Sequence, residues 1–203
     1  MSGIGEQSRL YNGPEYNEAD PAIKSNPFYN DVNIWKPATV YYDNILYKNV
    51  PVKYDVFKDQ LVALHYNKVS SYVLLNDKLQ YFDLSGQHFV SINVDSLDNP
   101  GIKNGIYEEL YKGKTQVLVR ASKTMQISTS SSLERYFTTA KKEIYLKKGD
   151  RYFSINGKSS ILKALKDKQT PLRLYIKSNN LDYKKGLEQA LVKIAFFYDQ
   201  LKD

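Results

Sequence analysis

The sequence predicts an α+β protein that is mainly antiparallel β, folded as a sandwich, a barrel or a curved meander, with a small C-terminal helical segment. Three observations predict this class. Short apolar and aromatic stretches separated by turn residues recur from Ala38 to Ile155, as in consecutive β-hairpins. Tyrosine, which suits strands, occurs 18 times in 203 residues. Near the C-terminus the period of the apolar residues changes from about two to about 3.6, which indicates helices.

The first predicted part of the chain is an extended aromatic N-terminal arm over residues 1–37. Its Asn26-Pro27 step favours extended backbone, because a proline disfavours the α region in the residue before it. Phe28, Tyr29 and Trp35 make the arm too aromatic for a plain linker, so we expect it to pack onto the sheet from that step onward. The alternative is an arm that becomes ordered only on a partner.

The second predicted part is an antiparallel β domain over residues 38–156. Turn pairs such as Asp43-Asn44 and Lys112-Gly113 separate its strands. Pro51 restricts the strand after it to a strand start or a sheet edge, because proline has no N–H to donate. Residues 122–139, which contain a serine-rich run, are predicted to be a mobile loop. The predicted strands are 38–42, 45–50, 52–56, 61–66, 71–75, 78–84, 88–94, 106–111, 115–121, 143–146 and 151–155.

The third predicted part is a set of helices over residues 157–203, packed on the β domain. Ser159 or Ser160 is placed to cap a first helix, and Thr170-Pro171 to begin a second. The last helix is predicted by a continuous apolar stripe at helical spacing, formed by Leu187, Ala190, Leu191, Ile194, Ala195, Tyr198 and Leu201. Phe196 falls almost opposite this stripe. Either the helix is packed on two sides, or Phe196 is an exposed aromatic anchor for a partner.

The formal net charge of +7 is unevenly distributed along the chain. Residues 1–104 hold 9 Lys/Arg and 12 Asp/Glu, a net charge of −3, whereas residues 105–203 hold 20 and 10, a net charge of +10. The candidate anion-binding residues in the basic half are Lys141, Lys142, Lys147, Lys148 and Arg151. Aromatic residues lie between them, as in single-strand nucleic-acid binders. The alternative is a solvated basic face, since a hairpin puts alternate residues on opposite sides.

The sequence contains no recognisable catalytic or metal-binding constellation. The absence of cysteine excludes disulfides, thiol catalysis and thiolate metal sites. The two histidines, His65 and His88, lie in strand patterns, and no Gly-x-Ser-x-Gly turn exposes a serine nucleophile. Glu108 and Glu109 are adjacent in a predicted strand and therefore point to opposite faces, so they cannot form a carboxylate pair. We predict a protein without enzymatic activity, cofactor or metal.

Two stretches, one at the start of the β region and one in the C-terminal tail, resemble a group of uncharacterised exported proteins of Bacteroidota. Trp35–Asn44 and Leu46–Asp55 are similar to a strand of that group and to the pattern "Y-x-N-V-P-L-x-Y-D" that follows it. Ile161–Leu165, Glu188–Leu191 and Tyr198–Asp199 are similar to the helical C-terminal tail of the same proteins. The resemblance implies a cell-envelope location, periplasmic or cell-surface, and no assigned activity.

The first residues of the chain and its hydropathy also bear on the compartment in which the protein is located. Met1-Ser2-Gly3 resembles a cloning leader placed before a mature start, which is compatible with an export signal that has been removed. No apolar run approaches the roughly 20 residues that span a bilayer, so no transmembrane segment is predicted. The absence of cysteine fits either compartment, and a cytoplasmic location stays open.

The predicted function is protein–protein interaction, without catalysis, in a periplasmic or cell-surface assembly. Phe28, Tyr29, Trp35 and Phe196 are the candidate partner contacts. One alternative is carbohydrate recognition, which requires several tyrosine rings coplanar on one exposed sheet face. A second alternative is nucleic-acid binding through the basic hairpin at residues 141–153, which a steep loss of affinity with salt would distinguish.

Overall fold

The computed structural model describes residues 8–95, 99, 101–129, 133–183 and 186–201. In these residues the strands are β1 (Lys36–Tyr42), β2 (Ile45–Asp55), β3 (Gln60–Leu64), β4 (Ser71–Leu74), β5 (Leu79–Leu84), β6 (Gln87–Ile92), β7 (Gly105–Lys112), β8 (Thr115–Ser122), β9 (Met125–Ser128), β10 (Glu134–Phe137), β11 (Lys141–Lys148) and β12 (Arg151–Ile155). The helices are α1 (Lys158–Ala164), α2 (Gln169–Ser178) and α3 (Leu187–Gln200). The predicted fold class, α+β with mainly antiparallel strands and C-terminal helices, is confirmed.

The chain folds into two compact units, and every strand except β8 and β11 lies wholly within one of them. The first unit contains the described residues up to Asn93 together with Ala121–Lys142. The second contains Val94–Arg120 together with the described residues from Glu143 onward. The predicted boundaries at residues 37 and 156 divide the chain by sequence order rather than by spatial contact, and they stay a prediction.

In the first unit six strands lie side by side in the order β6-β5-β1-β2-β3-β4. The strands β1 to β4 follow one another as antiparallel hairpins, and β5 returns to pair with the remaining side of β1. On the buried face, the rings of Phe82 and Phe89 stack with their centroids 4.7 Å apart, and Tyr54 packs edge-on against both. Aromatic residues at alternate strand positions thus build the core of this unit.

The N-terminal segment, residues 8–35, packs on both faces of these strands: Tyr29 contacts Tyr54 and Phe89 on the aromatic face, and other residues of the segment cover β3 and β4 on the second face. An uninterrupted apolar run in β3 requires such a cover, because successive strand residues point to opposite faces and Val62 is as fully buried as its neighbours. Tyr16 and Phe28 of the segment pack against Val62 and Val73. The segment is therefore part of the folded unit.

Backbone hydrogen bonds attach this segment to two strand edges of the first unit. The Tyr16 N–H donates to the carbonyl of Ser71 in β4, at 2.8 Å. The Lys24 N–H donates to the carbonyl of Arg135 in β10, at 2.9 Å. Edge strands present unpaired backbone groups, and the segment satisfies part of them at both places.

On either side of the serine run, described residues of the predicted loop 122–139 form strands. The strands β9 and β10 form a two-stranded antiparallel hairpin, with Ile127 opposite Arg135 and Met125 opposite Phe137. Polar residues lie among the apolar ones in β9 and β10, and they conceal the apolar–polar alternation that would have predicted these strands from the sequence. Residues 130–132, at the centre of the serine run, lie outside the described residues.

The two strands predicted on either side of Pro51, 45–50 and 52–56, are not separated by this proline. The strand β2 runs through it, so the two strands predicted on either side of this proline are one. Pro51 lies opposite Pro37 of β1, and the ladder between β2 and β3 begins only at Val52, which pairs with Ala63. The missing N–H therefore leaves no ladder bond unmade at this position.

In the second unit four strands lie in the order β12-β11-β8-β7, with the helices packed against them. The pairs β7/β8 and β11/β12 are antiparallel. The shared core combines strand residues Val117, Leu146 and Ile155 with helix residues Ile161, Leu172, Leu191 and Ile194. The predicted stripe of the last helix supplies the buried side of α3.

Of the two predicted capping residues of the first helix, Ser160 has this role, whereas the second helix begins before its predicted N-cap. At α1 the hydroxyl of Ser160 accepts hydrogen bonds from the N–H groups of Asn156 and Gly157, at 3.0 and 3.2 Å. Ser160 therefore caps the helix from within its first turn, and Ser159 is left exposed. The helix α2 begins at Gln169, so Thr170 lies inside it rather than at the N-cap.

Candidate functional site

Two surface concavities of the second unit share helix α2. The first, here the apolar groove, is lined by Pro171, Leu174, Tyr175, Lys177 and Ser178 of α2 and by Phe197 of α3, with a volume of about 680 Å³. The second, here the basic concavity, has a volume of about 570 Å³. Its cations are Lys158, Lys163, Lys166 and Arg173, with Ser159, Leu162 and Gln169 between them. Both are within the size range of ligand sites in proteins.

The apolar groove is built on a ring stack between two helices. The rings of Tyr175 and Phe197 are nearly parallel, 8° apart, with their centroids separated by 4.1 Å. Leu174 lies beside this stack and is 65% exposed. It is two positions from the buried Leu172, which places it on the outward side of α2. A large apolar side chain thus borders an aromatic surface that solvent reaches.

The basic concavity collects cations that have no acidic partner. All four are exposed, and among the described residues none of them forms an ion pair. The neighbouring carboxylate of Asp167 is turned to other groups: its oxygens accept hydrogen bonds from Lys148 Nζ at 2.5 Å and from the Tyr198 hydroxyl at 2.6 Å. The lining residues themselves include no Asp or Glu. This surface therefore carries a concentrated, uncompensated positive charge.

Electrostatics keep Asp167 and Lys148 ionised where they meet. Burial raises the pKa of Asp167, but the hydrogen bonds from Lys148 and Tyr198 outweigh it, so the net pKa is lowered. Burial lowers the pKa of Lys148, but the hydrogen bonds with Asp167 and Tyr198 and the charge of Asp167 together outweigh it, so the net pKa is raised. The pair fixes the turn between α1 and α2, which positions the basic concavity.

The candidate anion-binding residues of the basic hairpin fall in both units: Lys141 and Lys142 in the first, and Lys147, Lys148 and Arg151 in the second. Lys147 lies over the ring of Tyr152, with its Nζ 5.4 Å from the ring centroid. Lys148 is engaged with Asp167. Because Lys147 and Lys148 are adjacent in β11, they project from opposite faces and do not form one basic groove.

Three of the four candidate partner contacts lie within the first unit. Phe28 and Tyr29 are buried, at 5% and 9% exposure. The ammonium of Lys53 lies over the rings of Phe28 and Trp35, 5.0 and 4.4 Å from their centroids. Burial lowers the pKa of Lys53. These aromatic residues therefore hold the N-terminal segment in place, because their surfaces are already occupied by the protein itself.

Phe196 is the fourth candidate contact, and the structure places it on the surface. It is 55% exposed, and its ring meets that of Tyr111 edge to face, with centroids 6.3 Å apart. The adjacent Phe197 faces the apolar groove. Helix α3 thus presents two consecutive aromatic residues outside its buried stripe.

Carbohydrate binding would need several tyrosine rings on one exposed sheet face. Tyr41 and Tyr81 in the first unit are a candidate pair for such a surface. Their rings stack on each other with centroids 5.2 Å apart, beside the Asp83–His88 hydrogen bond of 2.6 Å. Stacked rings share a face, whereas a sugar platform needs coplanar rings. Carbohydrate recognition stays a prediction.

Side-chain clusters and helices in the described part of the chain bear on metal binding and on membrane spanning. Within those ranges no cluster of three or more His, Asp or Glu side chains could hold a metal ion. No described helix has both the length and the apolar character to cross a bilayer. Comparisons with protein-family models, curated proteins and solved structures found no match. The function is therefore inferred from the surfaces themselves.

Sequence reasoning missed both surfaces on α2. Leu174 is an apolar residue outside the buried positions Leu172 and Ile176 of its helix, just as Phe196 is outside the buried stripe of α3. This pattern could have identified Leu174 from the sequence. The basic concavity has no comparable signature, because Arg173 joins the three lysines only through the packing of α2 against α1.

Proposed function

We propose that this protein is a non-catalytic subunit of a cell-envelope assembly and that its apolar groove receives a protein partner. The observation that carries the proposal is the exposed Leu174 beside the Tyr175–Phe197 ring stack. Exposed apolar surface of this kind is typical of interaction sites, and aromatic residues are enriched there. The envelope location is supported by the resemblance to exported proteins of Bacteroidota.

The groove has the composition expected of an interface centre. Burying Leu174 against a partner would contribute about 1.5 to 3 kcal/mol, and aromatic residues are common among the side chains that dominate binding. Lys177 and Ser178 form a polar border, so partner backbone or carboxylate groups can be satisfied at the edge. Phe196 offers a second contact on helix α3, next to Phe197 of the groove.

The proposal is tested by site-specific photo-crosslinking in cells that make the protein naturally. A photoreactive amino acid replaces Leu174 in one variant, Phe196 in a second and Val69, a still more exposed residue of the first unit, in a third. We expect one discrete adduct from Leu174 and none from Val69. Mass spectrometry identifies the adduct, and a doubled chain mass would indicate a second copy of this protein.

A competing substitution makes the test specific for the groove. Tyr175→Asp placed in the Phe196 crosslinking variant should remove its adduct, because a charge on the ring stack opposes apolar contact. Val69→Asp in the same background is the matched control and should leave the adduct unchanged. Equal adducts from Leu174 and Val69, or none from Leu174 and Phe196, would contradict the proposed function.

A further inference from the structure

We infer that the basic concavity binds an acidic peptide segment of the partner. This inference rests on the proposed function, since it supplies the chemistry of the protein that occupies the neighbouring groove. Arg173 and Leu174 are consecutive in α2, and each lines one of the two surfaces. A chain that places apolar side chains in the groove can therefore continue across the helix into the concavity.

Charge is the first argument for an acidic occupant. Lys158, Lys163, Lys166 and Arg173 converge on one concavity, and like charges held close together repel one another. None of the four is paired with a described carboxylate. A ligand with several carboxylates removes this repulsion and gains attraction at every cation, whereas a single anion would compensate only part of it.

The lining chemistry favours a peptide over a nucleic acid. Among the residues that the structure describes, no aromatic ring lines the concavity, so a single-stranded nucleic acid would find none there on which to stack its bases. Ser159 and Gln169 add neutral hydrogen-bonding groups between the cations, which suit backbone and side-chain amides. Arg173 can hold a carboxylate in bidentate geometry.

The burial of the apolar lining residue favours a peptide over a membrane surface. Lipid-binding faces project apolar side chains that enter the acyl region. Here Leu162, the apolar residue of the lining, is buried, and the exposed lining is cationic and polar. A bilayer would therefore gain only charge attraction at this surface, whereas a peptide can also use the hydrogen-bonding groups of Ser159 and Gln169.

The test is an NMR titration of the full chain, labelled with ¹⁵N, by poly-L-glutamate. We expect the largest amide shifts in residues 158–173 and a dissociation constant that rises steeply with salt. The site variant Lys163→Gln/Arg173→Gln should bind about tenfold more weakly. The control Lys48→Gln/Lys68→Gln removes two exposed charges from the first unit and should change affinity less than about twofold. All four side chains are exposed, so both variants should fold, as circular dichroism will show.

Several outcomes would overturn the inference. Equal weakening by both double variants would mean that only net charge attracts the polymer. Tighter binding to an oligothymidylate or to phosphatidylglycerol vesicles than to poly-L-glutamate would assign the concavity to a nucleic acid or to a membrane. The crosslinks from Leu174 are measured independently, so their presence without poly-L-glutamate binding would leave the groove assignment standing and remove only this one.

Discussion

The carboxylate of Asp55 joins a tight turn to the N-terminal segment. It is fully buried and accepts three hydrogen bonds: from the Tyr16 hydroxyl at 2.7 Å and from the N–H groups of Phe57 and Lys58 at 2.9 Å. Three donors offset the loss of hydration. Burial, followed by the bond to Asp55, raises the pKa of Tyr16 far above its ordinary value.

Replacing this carboxylate should be severe. We expect Asp55→Ala to lower the free energy of unfolding by about 3 kcal/mol, because two buried N–H groups and the Tyr16 hydroxyl lose their acceptor. Urea unfolding measures the change. Asp77→Ala, at an exposed aspartate, should cost less than about 0.5 kcal/mol. Similar losses in both variants would show that the Asp55 interactions are not made in solution.

Asp199 has the corresponding role in the second unit. It accepts hydrogen bonds from the Tyr111 hydroxyl at 2.9 Å and from the N–H and hydroxyl of Thr115, each at 3.0 Å. A Cβ atom on Gly113 would lie 2.3 Å from its Oδ2 and 2.4 Å from the Tyr111 hydroxyl, so a larger residue there would displace one of these hydrogen-bonded groups. The small size of Gly113 in the predicted Lys112-Gly113 turn therefore matters because Asp199 of α3 lies against it. The local sequence does not indicate this long-range contact.

The strands illustrate which features a sequence can reveal. Alternation and turn residues identify β1 and β5, because each has one buried and one open face. The apolar run of β3 indicates burial on both faces, but its cover comes from residues far earlier in the chain. The basic concavity is unpredictable for the same reason, since helix packing rather than spacing brings its cations together.

The cover over β3 gives a prediction for the N-terminal segment. We expect Phe28→Ala to lower the free energy of unfolding by about 3 kcal/mol, because truncating a buried phenylalanine leaves a cavity. Phe57→Ala, at a phenylalanine that is 40% exposed, should cost about 1 kcal/mol. Urea unfolding followed by tryptophan fluorescence measures both. Equal losses would contradict a segment that is packed in the absence of a partner.

The many tyrosines give the complete protein a common response to alkali. Burial raises the pKa of Tyr107 to about 12, and burial with the Asp199 hydrogen bond raises that of Tyr111 to about 12. Burial also raises the pKa of Tyr42, Tyr145 and Tyr198. In each case the folded state retains a proton that the unfolded chain releases at about pH 10. The resulting stability is complete below that pH and is lost as the pH rises toward 12.

An alkaline titration tests this coupling. We expect absorbance at 295 nm to show that some of the 18 tyrosines ionise while the far-ultraviolet circular dichroism is still native. The remainder should ionise together with unfolding between about pH 10 and pH 12, since deprotonating a buried hydroxyl requires the fold to open. Tyr111→Phe should reduce the steepness of the stability loss in this interval, because it removes one group whose pKa differs between the two states. In concentrated urea all 18 should ionise in a single transition near pH 10. Complete ionisation at that pH with native circular dichroism would contradict the prediction, because it would mean that the buried hydroxyls exchange protons with solvent without unfolding.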